Sequence, residues 1–126
     1  MSNRNQFTLT IRTGLKLTLL SALICVMLPA CAFRKEADKA FGDQHFKTAI
    51  ALIELHKVRF GAYPATLDDL KFVGDWDRGA LLSVSYKRLG NGYELNVVRG
   101  WVGKPELQYP EEFWRGLGLV KSNMKQ

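Results

Sequence analysis

The apolar positions of this chain fall into three patterns, and each predicts a different element. Between Leu17 and Leu28 the run is nearly unbroken, interrupted by Thr18, Ser21 and Cys25. About twelve residues is short for a bilayer core that wants about 20, so the stretch predicts the apolar heart of a secretory leader. From Glu36 to Phe60 the only breaker is Gly42, and Phe46, Ala49, Ile50, Ile53 and Phe60 share one side at 100° per residue. Leu52, Leu55 and Phe41 fall on an adjacent strip, so this long helix carries a wide apolar arc that needs a broad cover. Gly61 is the expected helix stop, and Pro64 prevents resumption. Thr66, with Asp69 at the third position, predicts an N-cap opening a short helix through about Lys71. Residues 72–79 read as a loop.

The third pattern has a period of two. Leu82, Val84 and Tyr86 alternate with Ser83, Ser85 and Lys87, and Tyr93, Leu95 and Val97 alternate with Glu94, Asn96 and Val98. Gly90-Asn91-Gly92 joins the two runs as a three-residue hairpin loop, with the second glycine in the left-handed position. Glu106 to Tyr109 offers a third strand, and Pro110-Glu111-Glu112 opens either a last short helix or a loop. The expected fold class is therefore α+β, a long N-terminal helix packed on a small antiparallel sheet.

Charge sharpens the division of the chain. The 126 residues carry a net charge of +6, but Arg4, Arg12 and Lys16 stand in the first thirty, and the first acid is Glu36. Without those three cations residues 31–126 retain +3, too mild to imply a nucleic-acid surface. Arg12 and Lys16 ahead of the apolar run complete the charge-then-apolar order of a leader. The run ends in Leu28-Pro29-Ala30-Cys31, which resembles the lipobox of bacterial lipoproteins, although Pro29 stands where that motif usually has a small or hydroxylated residue. The resemblance implies a leader spanning 1–30 and a mature domain 31–126 with Cys31 lipidated at its amino end. It also implies anchoring to the outer membrane or cell envelope, facing the periplasm, because Ala32 rather than Asp follows the cysteine. Cys25 goes with the leader, so no disulfide pair remains.

The segment from Ala49 to Leu70 contains Gly61, Tyr63, Pro64, Thr66, Leu67 and Leu70 in an order that resembles the globular head of type II secretion pseudopilins and related type IV pilin-like proteins. That resemblance, over roughly residues 37–98, implies a helix ending in a Gly-x-Tyr-Pro turn, a short helix and a three-stranded antiparallel sheet. Upstream, Phe7-Thr8-Leu9 is similar to the opening of mature pilins. The family's glycine before that Phe and its glutamate four residues after it are replaced by Gln6 and Ile11, a departure from the processing and assembly signals.

Candidate chemistry is sparse. His45 and His56 are three helical turns apart, about 16 Å along the axis, so one zinc ion would not reach both. Asp75-Trp76-Asp77 with Asp68 and Asp69 could offer oxygen ligands to calcium, against the plainer reading of solvated acids. Ser83, Ser85 and Ser122 sit in no nucleophile elbow. Glu111 and Glu112 are adjacent and so point apart, unlike a pair of glycosidase acids. No metal or cofactor is expected. Trp101, between glycines, and Trp114 are candidate partner-binding residues, with core packing as the alternative. Arg34, Lys35 and Lys39 suit either anionic headgroups or the solvated start of a helix.

The expected function is a non-enzymatic, lipid-anchored protein–protein interaction module. It is pseudopilin-like, held to the membrane by its anchor, and placed in a secretion or pilus-related envelope assembly. The alternatives are an immunity protein neutralising a periplasmic toxin and a divergent pseudopilin that keeps its membrane helix.

Overall fold

The apolar stripe of the long helix is the spine of the core. In the computed structural model, which describes residues 4–125 and only the backbone of 4–13 and 23–29, helix α1 spans Arg4–Phe60. The chain divides into two units, Met1–Arg34 and Lys35–Gln126. The described residues of the first are helical, with Leu15, Leu17, Leu19 and Leu20 exposed. Gln6, Phe7-Thr8-Leu9, Cys25 and Pro29 have side chains outside the described residues. Among the described residues no helix is long and apolar enough to cross a membrane.

In the second unit Phe46, Ala49, Ile50 and Ile53 are buried against Tyr93, Leu95 and Val97 of the sheet. Each large side chain removed from water there contributes about 1.5–3 kcal/mol. Phe60 does not join them and stays largely exposed. The helix stops at Gly61, whose φ of +77° suits a residue without Cβ and whose N–H donates to Lys57 O at 2.9 Å. The reversal delivers Tyr63 in place of Phe60, and its ring meets that of Tyr93 at 5.1 Å between centroids.

After Pro64 the capping signal yields one turn of 3-10 helix, Leu67–Asp69, shorter than expected. The Asp69 carboxylate accepts the Thr66 N–H at 2.9 Å, which holds its pKa below the usual value. Leu70 is buried, and the chain then reverses through Phe72, whose φ is +59°. A left-handed conformation in a bulky residue costs about 1–3 kcal/mol. The expected loop over 72–79 is instead partly helical: α2 spans Asp75–Leu81. Asp77 accepts the N–H of Gly74 at 2.9 Å and caps it. α2 buries only Ala80, so it has too little apolar periodicity to be seen in the sequence.

β1 (Val84–Leu89) and β2 (Gly92–Val97) form the expected antiparallel hairpin. The turn is tighter than predicted. Leu89 pairs with Gly92, so Gly90 and Asn91 alone make the turn, and Gly90 takes the left-handed position at φ +53°. Gly92 is instead a strand residue whose missing Cβ leaves room for Gly118 O and the Val120 side chain.

The third strand is the main correction. Glu106–Tyr109 makes only an isolated bridge, Gln108 to Lys125, while β3 is Leu119–Lys121 and runs parallel to β2. The sheet, in order β1-β2-β3, is therefore mixed rather than antiparallel. A parallel neighbour requires a crossover. The chain between β2 and β3 makes it, carrying the short helix α3 (Glu111–Trp114) with Pro110 as its N-cap. Beyond β3, Asn123 imitates a strand: its Oδ1 accepts the Val97 N–H and its Nδ2 donates to Val97 O, both at 2.9 Å.

Three carboxylates of α1 hold that crossover. Asp38 accepts the N–H groups of Val102 and Gly103 at 2.7 and 2.8 Å. Asp43 accepts the Tyr109 hydroxyl at 2.9 Å. Glu54 accepts three bonds, from Tyr63 Oη at 3.1 Å, Tyr93 Oη at 2.9 Å and Gly118 N at 2.8 Å. Burial first, and then the adjoining carboxylates, push the phenols of Tyr93 and Tyr109 well above their ordinary value. Gly42 completes the seam, because a Cβ there would run into the Pro105 ring.

Candidate functional site

The crossover and α2 both approach α1 near its Phe41-to-His45 turn, and the space left between them is a cleft. Ser83, buried where α2 passes into β1, organises it. Its Oγ–H donates to Gly79 O at 2.9 Å, and its carbonyl accepts the N–H groups of Val98 and Arg99 at 2.9 and 3.4 Å. This ties the start of the crossover to the end of α2. The Gly100–Gly103 loop is then drawn to α1 by Asp38. At Gly100 the approach is so close that a Cβ would collide with the Asp38 backbone.

The cleft has a volume of ≈ 240 Å³ and is lined by Phe41 and His45 from α1, Asp75 and Trp76 from α2, and Arg99 and Trp101 from the crossover. Trp76 is 91% exposed and Trp101 50%, and Phe41 is exposed as well. Three large aromatic groups thus border one concavity. The His45 ring lies 5.9 Å from that of Phe41, and its Nδ1 is buried without a hydrogen-bond partner. Burial lowers the His45 pKa, and the nearby Arg99 charge lowers it further. The imidazole is accordingly neutral near pH 7, and Arg99 supplies a fixed positive charge, while the solvent-exposed Asp75 pairs with Arg78 at 3.8 Å. Such a surface offers aromatic stacking area beside charged groups of both signs.

The residues singled out in the sequence are scattered. Trp101 belongs to the cleft. Trp114 is half-buried in an aromatic cluster, its ring 6.2 Å from Phe46, 5.7 Å from Tyr109 and 5.1 Å from Phe113, so it packs beside the core rather than at the cleft. Cys31 is exposed with a free thiol. The His56 ring lies tilted against that of Phe60, 4.6 Å between centroids, at a different part of α1 from His45. Asp69 and Asp77 act as caps, and Glu111 and Glu112 stand in the first turn of α3. No group of three or more His, Cys, Asp or Glu placed to hold a metal ion occurs among the described residues.

Trp76, Arg99 and His45 are the cleft residues that sequence reasoning did not connect. The available signal was the capping pair Gly74 and Asp77, which places Trp76 at the second position of a helix instead of in a loop. Comparison with protein-family models, with curated proteins and with solved structures finds no match for this chain.

Proposed function

We propose that this chain is a lipid-anchored, periplasm-facing interaction module, with a pilin-like head that binds a protein partner through the Trp76–Trp101 cleft. The observation that carries the reading is the exposure of two tryptophans and Phe41 around one concavity. Tryptophan is enriched at interface hot spots because it buries a large area at little entropic loss. Arg99 adds a charged anchor of the kind those hot spots favour. The anchor rests on the lipobox resemblance at Cys31, and two features support it: the thiol is accessible, and Leu15, Leu17, Leu19 and Leu20 ahead of it are exposed. Two or three acyl chains at about 0.8 kcal/mol per buried methylene would hold the head at a bilayer. The pilin-like reading rests on the Gly61-x-Tyr63-Pro64 turn after a long helix and on the hairpin that follows.

Two experiments test the parts separately. Replacement of Cys31 by Ser abolishes incorporation of labelled palmitate; undiminished labelling would remove the anchor. A photo-crosslinking amino acid at position 101 or 76 of the full chain captures one discrete envelope protein, whereas the same group at exposed Lys87, on β1, captures none. Equal capture from all three positions would sink the cleft as a binding site.

A further inference from the structure

A second surface, built from different residues, lies at the other end of the helix within the Lys35–Gln126 unit. Leu55, Phe60 and Phe72 are exposed there and line a groove of ≈ 120 Å³ together with His56, Arg59 and Lys71. Phe72 is the anomaly. The reversal after Leu70 needs a left-handed residue, a role glycine fills without strain, yet the position holds a phenylalanine that is 83% exposed. Its burial therefore returns little to the fold. The structure presents the ring outward, with the Arg59 guanidinium 5.1 Å from its centroid. Beside it His56 Nδ1 is buried without a partner.

The two formal charges lining this groove, Arg59 and Lys71, are both positive, and none of the lining groups is a carboxylate. Asp69, whose charge reaches His56, is already engaged by the N–H and hydroxyl of Thr66. Asp68 faces the adjoining side of Lys71 and Phe72, but the groove itself pairs a strained, outward aromatic with Arg59 and Lys71, which is complementary to a segment carrying acids beside aliphatic side chains.

We propose that the Phe60–Phe72 face is a second docking surface, for an acidic, aliphatic segment of a protein partner. One aliphatic side chain enters the groove between Phe60 and Phe72 while neighbouring carboxylates pair with Arg59 and Lys71. A bilayer is the poorer occupant: Phe60 lies about 38 Å along α1 from Lys35, where a lipid anchor would join the unit.

The test uses the full chain in non-ionic detergent and two sets of synthetic peptides. One interleaves Glu and Asp with Leu and Ile; the other has Lys in place of every acid. The acidic set binds and the basic set does not. Phe72→Gly and Arg59→Glu each weaken binding by about tenfold or more, whereas Trp101→Ala leaves it unchanged. Phe72→Gly also melts no lower than the parent, which separates a binding role from a structural one. Equal binding of both sets, or acidic binding indifferent to Phe72→Gly, overturns the proposal. So does a concentration-dependent dimer that Phe72→Gly dissolves, which would seat a second copy there. Quenching of a fluorophore on Phe72→Cys by brominated lipid in nanodiscs would assign the face to the membrane instead, and equally overturn it.

Discussion

The hairpin of residues 84–97 is held by its own ladder across a two-residue turn, and its alternating side chains choose which face is buried. The segment that follows, residues 98–125, has three short pieces of regular pairing or helix and takes its position from α1. Asp38, Asp43 and Glu54 reach it across sequence separations of 64 to 66 residues. The lesson is about the kind of bond. Hairpin register follows from local alternation, and a slip would turn every side chain to the wrong face. The crossover instead depends on a few charge-assisted bonds, most of them part-buried, whose loss leaves donors unpaired.

Removing Glu54 attacks that difference most strongly. Glu54→Ala leaves the Tyr63 and Tyr93 hydroxyls and the Gly118 N–H without their acceptor. A loss of about 3 kcal/mol or more is expected in urea denaturation. Hydrogen exchange should show residues 118–121 losing protection well before residues 84–97. Simultaneous loss in both regions would mean the two are not held separately.

Gly61→Val comes next, with an expected cost of about 2 kcal/mol in thermal or chemical melting. No atom lies within 4 Å of the added Cβ position, so the whole effect comes from φ +77°. Asn, which tolerates that region, should recover much of it. An unaltered stability for the valine variant would mean that the helix stop is not fixed as described.

A smaller effect distinguishes two helical glycines. Gly42→Ala gains about 1 kcal/mol of helix propensity but presses on Pro105, where overpacking costs about 1–3 kcal/mol. The net is a modest loss, concentrated in the crossover. Gly79→Ala on α2 has open space around the new methyl and should stabilise by about 0.5–1 kcal/mol. A gain at both positions would show that the crossover yields to α1 rather than being seated on it.

The smallest effect is a pH dependence at the cleft. The folded pKa of His45 is lowered by burial and then by Arg99, so its contribution is complete above the unfolded value of about 6.5 and is lost as pH falls through the folded value. Melting temperature should decline slightly below pH 6.5, and less so in His45→Gln. An identical acid limb in both proteins would remove His45 as its source.

Much of the first region was legible because its rules are local. The period of 3.6 over Phe46–Ile53, the period of two over Val84–Val97 and the Gly61 stop each depend on neighbours only a few residues away. The turn is one residue shorter than its sequence predicts, since Gly90 and Gly92 look alike in sequence. What separates them is the approach of Gly118 and Val120 to Gly92. α2 escaped notice because a helix that buries one alanine writes almost no apolar period.

The sequence by itself determined a long helix with one apolar face, a hairpin to cover it and an apolar amino-terminal run, because periodicity and turn chemistry act over distances the chain spells out directly. Only the tertiary structure decided that the last strand is Leu119–Lys121 and parallel, that Trp114 packs beside the core while Trp101 borders a cleft, and that Trp76, Arg99 and His45 share it. Those outcomes hang on three carboxylates and one glycine of α1 meeting groups far along the chain, and a partner at such separation leaves no mark in the local pattern.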